Sequence, residues 1–354
     1  MIHFFPRFSR DAAASPMGDA LRALGVPHRI IASEVPQRYA HRLQLLVLGY
    51  PRLAWSALRT AVSSMYGKGP PPDAAVISSD VEALVFAFVR AMPSAAQPRL
   101  VFVPFIFTQR ASASVNRARL LYYRFVMRRV SCAVCHSLLE VARYQEVFAG
   151  CGVHFVFVPW GGYVPSAAEI IAKVPAPPSD GLPRVVSAGK SGRDYPTLAK
   201  AVADLPCHLT IICNAAAPRG GGVASSQVEV LQDTFGVDYL ARLMRADVVA
   251  VPLQVEDISA GQMVIIQAMA LGRPLVVTRT PTIGDYLQHE DTALLVPRGD
   301  IPAMAAAIRC LLDDSEAAAA LGRRAKARYA EMFSAEAHLQ LLVEAVQRHC
   351  RIEA

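Results

Sequence analysis

The segment Asp257–Thr278 has the residue types of a phosphate-binding loop followed by a buried helix. Small residues around Gly261 precede an apolar run that stops at Gly272, and Pro274 and a β-branched run come next. Free backbone N–H groups at the start of a helix bind phosphate, and a glycine there lets the ligand approach the backbone. We therefore interpret this segment as an anion-binding turn, a helix and a parallel strand.

Three other polar side chains could bind a phosphorylated ligand. Gln267 lies in the predicted helix, where its amide could bond a sugar hydroxyl beside the phosphate. Lys190 and Arg193 follow a predicted strand, in a turn that begins at Gly189, and cations there would stabilise phosphate charge. A solvated turn is the alternative for both cations, and Asp194 could cap the helix that follows.

The composition is typical of a folded chain with two domains. The 354 residues are 53% hydrophobic and 18% charged, and two domains of about 150 to 180 residues are the natural expectation for this length. No apolar run reaches the roughly 18 to 20 uncharged residues of a membrane-spanning helix. The N-terminus also lacks the apolar run of a secretory signal. We therefore expect a cytoplasmic protein.

The seven cysteines do not follow the pattern of a disulfide framework or a zinc site. Cys132 and Cys135 form a C-x-x-C pair inside a predicted strand, without a second Cys or His pair at metal-binding spacing. We interpret these two residues as buried thiols.

Short β-branched runs alternate with helical stretches along both halves of the chain. This pattern predicts an α/β fold with two doubly wound, Rossmann-like parallel sheets. In the first half the predicted strands are Met1–Phe5, His28–Ala32, Ala74–Ile77, Leu100–Val103, Val130–Cys135 and His154–Val158. In the second half they are Arg184–Ser187, His208–Cys213, Val228–Leu231, Asp247–Val251, Pro274–Thr278 and Ala293–Val296.

A proline-rich stretch marks the boundary between the two predicted domains. Five prolines fall within residues 164–183, which is typical of a semi-rigid connection. We predict an N-terminal domain over residues 1–164, a linker over 165–182 and a C-terminal domain over 183–335. A final helix over 336–354 could cross back to the N-terminal domain. Open parallel sheets bind ligands at the carboxyl ends of their strands, so we expect the function in a cleft between the domains.

The sequence resembles GT-B glycosyltransferases, especially the group 1 or family 4 enzymes of bacterial polysaccharide and glycolipid synthesis. The resemblance covers about residues 130–333. It is carried by Val158–Gly161, Gly189–Leu198, Ala246–Pro252 and Ser259–Pro274, in this order and spacing. It implies two Rossmann-like domains facing a cleft, and transfer of a hexose from a nucleoside-diphosphate sugar.

The resemblance also implies a set of donor-binding residues. Backbone amides of residues 260–262 would hold the donor diphosphate, and the cations of the Gly189 turn would lie at its phosphates. Gln267 stands where family members usually carry a Glu that binds the ribose, and Ser259 stands where they carry a Glu at the donor sugar. The sequence therefore departs from the family at both carboxylates. The implied set is Gly189, Lys190, Arg193, Ser259, Ala260, Gly261, Gln262 and Gln267.

Transfer with inversion needs a general base on the acceptor hydroxyl, and we look for it in the N-terminal domain. Asp80 is the first candidate, because it lies just beyond the carboxyl end of the strand Ala74–Ile77. The alternative is that Asp80 caps the helix that begins near Val81. His136, at the end of the strand Val130–Cys135, is the second candidate. The stereochemistry of transfer stays open.

The first half of the chain has an excess of positive charge, which suits an anionic partner. Residues 1–180 hold 19 Lys and Arg against 10 Asp and Glu. Residues 116–129 mix five arginines with Tyr and Phe, and residues 38–65 are apolar and moderately basic. Both stretches suit an anionic membrane surface carrying a lipid-linked acceptor. The alternative is a core helix whose arginines extend to solvent. No nucleic-acid-binding module is present in the sequence.

These observations together favour a metal-independent glycosyltransferase on the inner face of a membrane. Its donor would be a nucleoside-diphosphate sugar, with a UDP-sugar favoured, and its acceptor a lipid-linked sugar or a glycan. No cofactor is expected, because the cations and the helix start can neutralise the diphosphate and no D-x-D pair stands nearby. The alternatives are a sugar-nucleotide epimerase or phosphorylase on the same fold, and a non-catalytic subunit that binds a nucleotide or a partner.

Overall fold

The chain folds into two α/β units. The structure is a computed structural model that describes residues 1–5, 16–31, 49–66, 72–92, 97–108, 112–174, 181–213 and 228–350. One unit consists of Met1–Val158 together with the chain from Leu339 onward, and the other of Pro159–His338.

In the first unit, the described residues form a six-stranded parallel sheet. Its strands are β1 (Ile2–Phe5), β2 (His28–Ile30), β3 (Ala74–Ile77), β4 (Arg99–Phe102), β5 (Val130–Cys135) and β6 (His154–Phe157). Their order is β2-β1-β3-β4-β5-β6. The helices are α1 (Pro16–Ala23), α2 (Tyr50–Tyr66), α3 (Asp80–Arg90), α4 (Ala113–Met127) and α5 (Leu138–Val147).

In the second unit, the described residues form another six-stranded parallel sheet. Its strands are β7 (Arg184–Ala188), β8 (His208–Ile212), β9 (Val228–Leu231), β10 (Val248–Val251), β11 (Leu275–Thr278) and β12 (Leu294–Val296). Their order is β12-β11-β10-β7-β8-β9. The helices that follow α5 along the chain are α6 (Ala167–Lys173), α7 (Tyr195–Val202), α8 (Gly236–Met244), α9 (Gln262–Ala270), α10 (Pro281–Gly284), α11 (Ile301–Asp313), α12 (Ser315–Met332) and α13 (Ala335–Cys350).

The central strands are apolar along their whole length because helices cover both faces of each sheet. All four residues of β3, β10 and β11 are buried. Each sheet therefore separates two apolar cores. Alternate residues of β7 point to different cores, Val186 to one and Val185 to the other.

The predicted doubly wound α/β fold is confirmed. The observed bounds of every predicted strand lie within one or two residues of the predicted bounds, and all pairings of neighbouring strands are parallel. The last residue of the predicted strand His28–Ala32 lies outside the described residues. This agreement arises because fully buried parallel strands leave a short, continuous apolar signature in the sequence.

The segment interpreted as a linker, residues 165–182, contains the helix α6. Ser166 and Glu169 form a reciprocal capping box at the start of that helix, which fixes its first turn. Residues 175–180 lie outside the described part of the chain. The chain changes unit at residue 159, before this segment, and again at residue 339, within α13.

The thiols of the C-x-x-C pair are buried in β5. Burial raises the pKa of Cys132 to about 12 and raises the pKa of Cys135 still further. These thiols are protonated at neutral pH and poorly nucleophilic, in agreement with the interpretation as buried apolar groups. Among the described residues, no helix is both long and apolar enough to cross a membrane.

Candidate functional site

In the second unit, the order in which strands are added to the sheet reverses between β7 and β10. From β7 the chain adds β8 and β9 on one side, and β10, β11 and β12 follow on the other. At such a point in an open parallel sheet, ligands bind outside the carboxyl ends of the strands. Both the Gly189 turn and the start of α9 follow these two strands.

The turn after β7 holds an arginine against its own backbone. Arg193 donates from Nε to the Ala188 carbonyl at 2.8 Å and from Nη1 to the Ser191 carbonyl at 2.8 Å. Gly189 adopts a φ of +101°, and a Cβ on it would lie 2.5 Å from Nη2 of Arg193. The backbone conformation therefore favours glycine, and a Cβ there would displace the guanidinium. The neighbouring Lys190 is exposed.

Hydrogen bonds join this turn to the loop after β10. The Asp194 N–H donates to the Pro252 carbonyl at 3.1 Å, and the Gln254 N–H donates to the Gly192 carbonyl at 2.8 Å. The Asp194 carboxylate caps α7 by accepting from the Thr197 N–H at 3.3 Å, as the sequence suggested. The cationic turn is consequently fixed relative to the chain that leads into α9.

The start of α9 presents free backbone donors. Gly261 is the N-cap residue, with φ +97° and ψ −19°. The Ile265 N–H donates to the Gly261 carbonyl at 3.1 Å, so the three N–H groups before it are not used by the helix. A Cβ on Gly261 would lie 3.2 Å from Cγ1 of Val251. Ala260 is buried and Ser259 half-buried. The predicted helix start at this glycine is therefore observed.

Gln262 contributes a buried amide to the same turn. Its side chain is 6% exposed, and Nε2 has no hydrogen-bond partner among the described residues. A buried donor without a partner is costly, and such groups are usually satisfied by water or a ligand. This NH₂ group is therefore available to an acceptor at the helix start.

Gln267 is held by a tyrosine that sequence reasoning did not identify. Its Oε1 accepts from the Tyr239 hydroxyl at 2.8 Å. Tyr239 lies on α8, and burial raises its pKa while the charge of Arg193 lowers it. Tyr195 donates to the Gly189 carbonyl and also interacts with the charge of Arg193. Tyr195 lies within Gly189–Leu198, one of the segments that carry the family resemblance, but Tyr239 occupies an amphipathic helix with no distinguishing pattern.

Asp80, the first candidate base, is the exposed first residue of α3. The alternative that Asp80 caps the helix is wrong, because Ser79 is the N-cap and its hydroxyl accepts from the Glu82 N–H at 3.2 Å. Ser79 directly precedes Asp80, and its short side chain lies within hydrogen-bond reach of the N–H of Glu82, the third helical residue. The hydroxyl of Tyr122 donates to the Asp80 carbonyl. Burial and then the Asp80 charge raise the pKa of Tyr123 to about 12.

His136, the second candidate base, is only 5% exposed. Its Nδ1 lies 2.9 Å from the Val158 carbonyl, which requires that nitrogen to carry the proton. Its backbone N–H donates to the Glu140 carboxylate at 3.3 Å. It follows β5, whereas Asp80 follows β3, and β4 lies between these strands. Two strand spacings separate them by roughly 10 Å.

Solved structures similar to this chain define the class of its fold. Sucrose-phosphate synthase from Thermosynechococcus elongatus is 18% identical, with 99% of both chains covered and a TM-score of 0.72. HepE from Anabaena, solved with UDP and glucose, is 16% identical, with 98% of this chain and 99% of HepE covered and a TM-score of 0.63. Trehalose 6-phosphate synthase from Burkholderia multivorans is 13% identical over 98% of each chain, with a TM-score of 0.66. The chain therefore has the GT-B fold.

The family resemblance is located in the second unit. Residues 193–314, about a third of the chain, match the family described as Glycosyl transferases group 1. This segment includes Arg193 and the whole of α9. The resemblance to group 1 GT-B glycosyltransferases expected from the sequence is thus confirmed. Comparison with curated protein sequences gives no significant match.

Proposed function

We propose that this protein is a glycosyltransferase that moves a hexose from a nucleoside-diphosphate sugar to a lipid-linked or glycan acceptor. The reaction would serve bacterial polysaccharide or glycolipid synthesis, with a UDP-sugar as the favoured donor. The observation that carries the proposal is the start of α9 at Gly261, which follows β10 where the strand order reverses beside β7 and lies within the family-matched segment. HepE, with the same fold, was solved with UDP and glucose.

The chemistry needs positive charge where the leaving group departs. As the glycosidic bond breaks, the nucleoside diphosphate gains negative charge. The free N–H groups of α9 and its positive dipole end would face that charge, and Arg193 and Lys190 would add two cations. We propose that these groups replace a metal ion and that no cofactor takes part.

The acceptor hydroxyl must lose a proton during transfer, and Asp80 is the better placed of the two candidates. Its side chain is exposed, whereas His136 is buried with Nδ1 engaged by a backbone carbonyl. We propose that Asp80 receives the proton and that His136 has a structural role. We further propose that the protein acts in the cytoplasm at the inner face of the membrane.

Thermal unfolding with UDP, GDP, ADP and dTDP, each with magnesium or with EDTA, tests the donor site. A ligand at about a hundred times its dissociation constant stabilises a binding unit by ~2.7 kcal/mol, which gives a visible shift of Tm. We expect one nucleotide to stabilise the protein equally with magnesium and with EDTA. A shift that requires magnesium would contradict metal independence, and no shift with any nucleotide would contradict the donor site.

Product analysis separates the glycosyltransferase from its alternatives. The protein would be incubated with the nucleoside-diphosphate sugar whose nucleotide stabilises it, with and without a prenyl-diphosphate-linked sugar. We expect nucleoside diphosphate to be released only with the acceptor. Turnover without acceptor would indicate an epimerase or phosphorylase, and nucleotide binding without release would indicate a non-catalytic subunit.

A further inference from the structure

Helix α2 of the first unit has two faces of opposite character. Leu53, Ala57 and Ala61 are buried, and the helix packs against α3. On the opposite side lie four exposed residues, Arg52, Trp55, Arg59 and Val62. At 3.6 residues per turn these four fall within roughly 80° of the helix circumference. The exposed face is thus a continuous stripe in which cationic and apolar side chains alternate.

The stripe on α2 is unusually apolar for a solvated surface. Trp55 is 64% exposed and Val62 is 43% exposed. The helix contains no Asp or Glu. Within the described residues, no acidic side chain pairs with Arg52 or Arg59. Single exposed apolar residues are normal. A tryptophan between two arginines that pair with no described acidic residue, all on one helix face, indicates a binding surface.

Helix α4, which has more arginines, uses several of them inside the protein. Arg119 donates to the Thr108 carbonyl, and Arg124 donates to the carbonyls of Val147 and Ala149. The guanidinium of Arg129 lies 4.0 Å from the centre of the Phe125 ring. These contacts support a structural role for much of the basic stretch 116–129. Arg117 and Arg128 stay exposed in this stretch, but on α2 both arginines are exposed and an exposed tryptophan lies between them. Of the other predicted stretch, residues 38–48 lie outside the described residues.

We propose that α2 docks on an anionic membrane surface through the stripe Arg52, Trp55, Arg59 and Val62. Its 17 residues span roughly 25 Å along the helix axis. Tryptophan favours the boundary between headgroups and acyl chains, and arginines beside it attract lipid phosphates. Of the two acidic residues of the neighbouring helix α3, Glu82 is buried and only Asp80, the first residue of that helix, is exposed. The lipid surface is favoured over an acidic protein because Trp55 and Val62 add exposed apolar area beside the two arginines.

This inference extends the proposed use of a lipid-linked acceptor, but its test needs no sugar nucleotide. The intact protein would be sedimented with phosphatidylcholine vesicles, with and without phosphatidylglycerol. We expect binding only to the anionic vesicles. The double variant R52Q/R59Q should bind about 25-fold more weakly, at about fivefold for each arginine. The control R309Q/R323Q removes the same charge from exposed positions on α11 and α12 and should bind as the wild type does.

Trp55 itself reports whether the apolar part of the stripe enters the membrane. The chain has two tryptophans, so the variant W160F leaves Trp55 as the sole emitter. We expect a blue shift of its emission with anionic vesicles, and weaker binding by W55A/V62A with an unchanged Tm. Absence of binding, equal binding by R52Q/R59Q, or Trp55 emission that does not move would each overturn the proposal. Thermal shifts by nucleotides are unaffected by any of these results, so the two proposals can fail separately.

Discussion

At the scale of single residues, the candidate donor site depends on an amide where the family resemblance implies a carboxylate. Gln267 retains an acceptor that is already bonded by the Tyr239 hydroxyl. An amide has both an acceptor and a donor end, so Nε2 can still donate to a hydroxyl of the ligand. The Tyr239 contact orients the amide, which assigns the two ends to different partners.

The substitution Gln267→Ala should weaken nucleotide binding about tenfold, because it removes one hydrogen bond worth ~1 to 1.5 kcal/mol. Isothermal titration with the nucleotide selected by thermal unfolding measures the effect. Tyr239→Phe is the matched control, since it removes the orienting hydroxyl and leaves the ring and Gln267 in place. Its effect should be smaller, and an unchanged affinity for Gln267→Ala would exclude this residue from the donor site.

The buried amide of Gln262 gives a second prediction at this scale. Gln262→Leu keeps the side-chain volume and removes a donor that has no partner among the described residues. The free protein should keep its Tm or gain about 2 °C, because an unsatisfied buried group is lost. Donor affinity should fall about fivefold if the amide binds the ligand. A clear loss of Tm with unchanged affinity would mean that Nε2 serves the fold instead.

At the scale of elements, the start of α9 combines a conformational and a steric requirement. Gly261 has a positive φ, and the side chains of Val251 and Leu253 approach the place of its missing Cβ. Alanine there costs about 1 to 2 kcal/mol in the left-handed region. It would also push the helix start away from the β10 strand. We therefore expect stability and ligand binding to be coupled at this residue.

The pair Gly261→Ala and Gly236→Ala tests this coupling. Gly236 also has a positive φ, but no atom lies within 4 Å of the place of its Cβ. Both variants should lose about 1 to 2 kcal/mol of unfolding free energy from backbone strain. Only Gly261→Ala should also lose nucleotide affinity, measured by titration. Equal affinities in the two variants would contradict an anion site at the start of α9.

At the scale of the whole molecule, buried histidines link stability to pH. Burial lowers the pKa of His3 and of His338, and neighbouring positive charge lowers the pKa of His3 further. The Nδ1 of His338 donates to the Pro159 carbonyl at 2.8 Å, which partly opposes the shift of its pKa. The folded protein therefore holds these rings neutral at a pH where the unfolded chain would protonate them.

Stability should fall as the pH drops below about 6.5, the ordinary histidine pKa, since the unfolded state then binds protons that the folded state does not. Urea unfolding between about pH 7.5 and pH 5 measures the slope. His338→Gln should reduce that slope, because the variant lacks a side chain that takes up a proton on unfolding. A slope equal to that of the wild type would show that His338 does not contribute.

The sequence by itself determined the strands, their parallel arrangement and the glycine turns that bound α9. Central strands must be apolar on both faces, and this constraint is written into runs such as Val248–Val251. Gly261 and Gly272 mark the start and end of α9 because both have a positive φ, which favours glycine. These signals are local, since each depends on the sterics or burial of neighbouring residues in the chain.

Only the tertiary structure decided which side chains act together. Ser79 rather than Asp80 caps α3, because the cap depends on one residue's backbone angles. Tyr239 reaches Gln267 from another helix, and the arginines of α4 bond to carbonyls of distant loops. Spacing along the chain predicts the face of a helix on which a residue lies. It does not predict which atoms of other elements contact that face. The partner of a polar side chain is fixed by packing between elements, which a single sequence does not record.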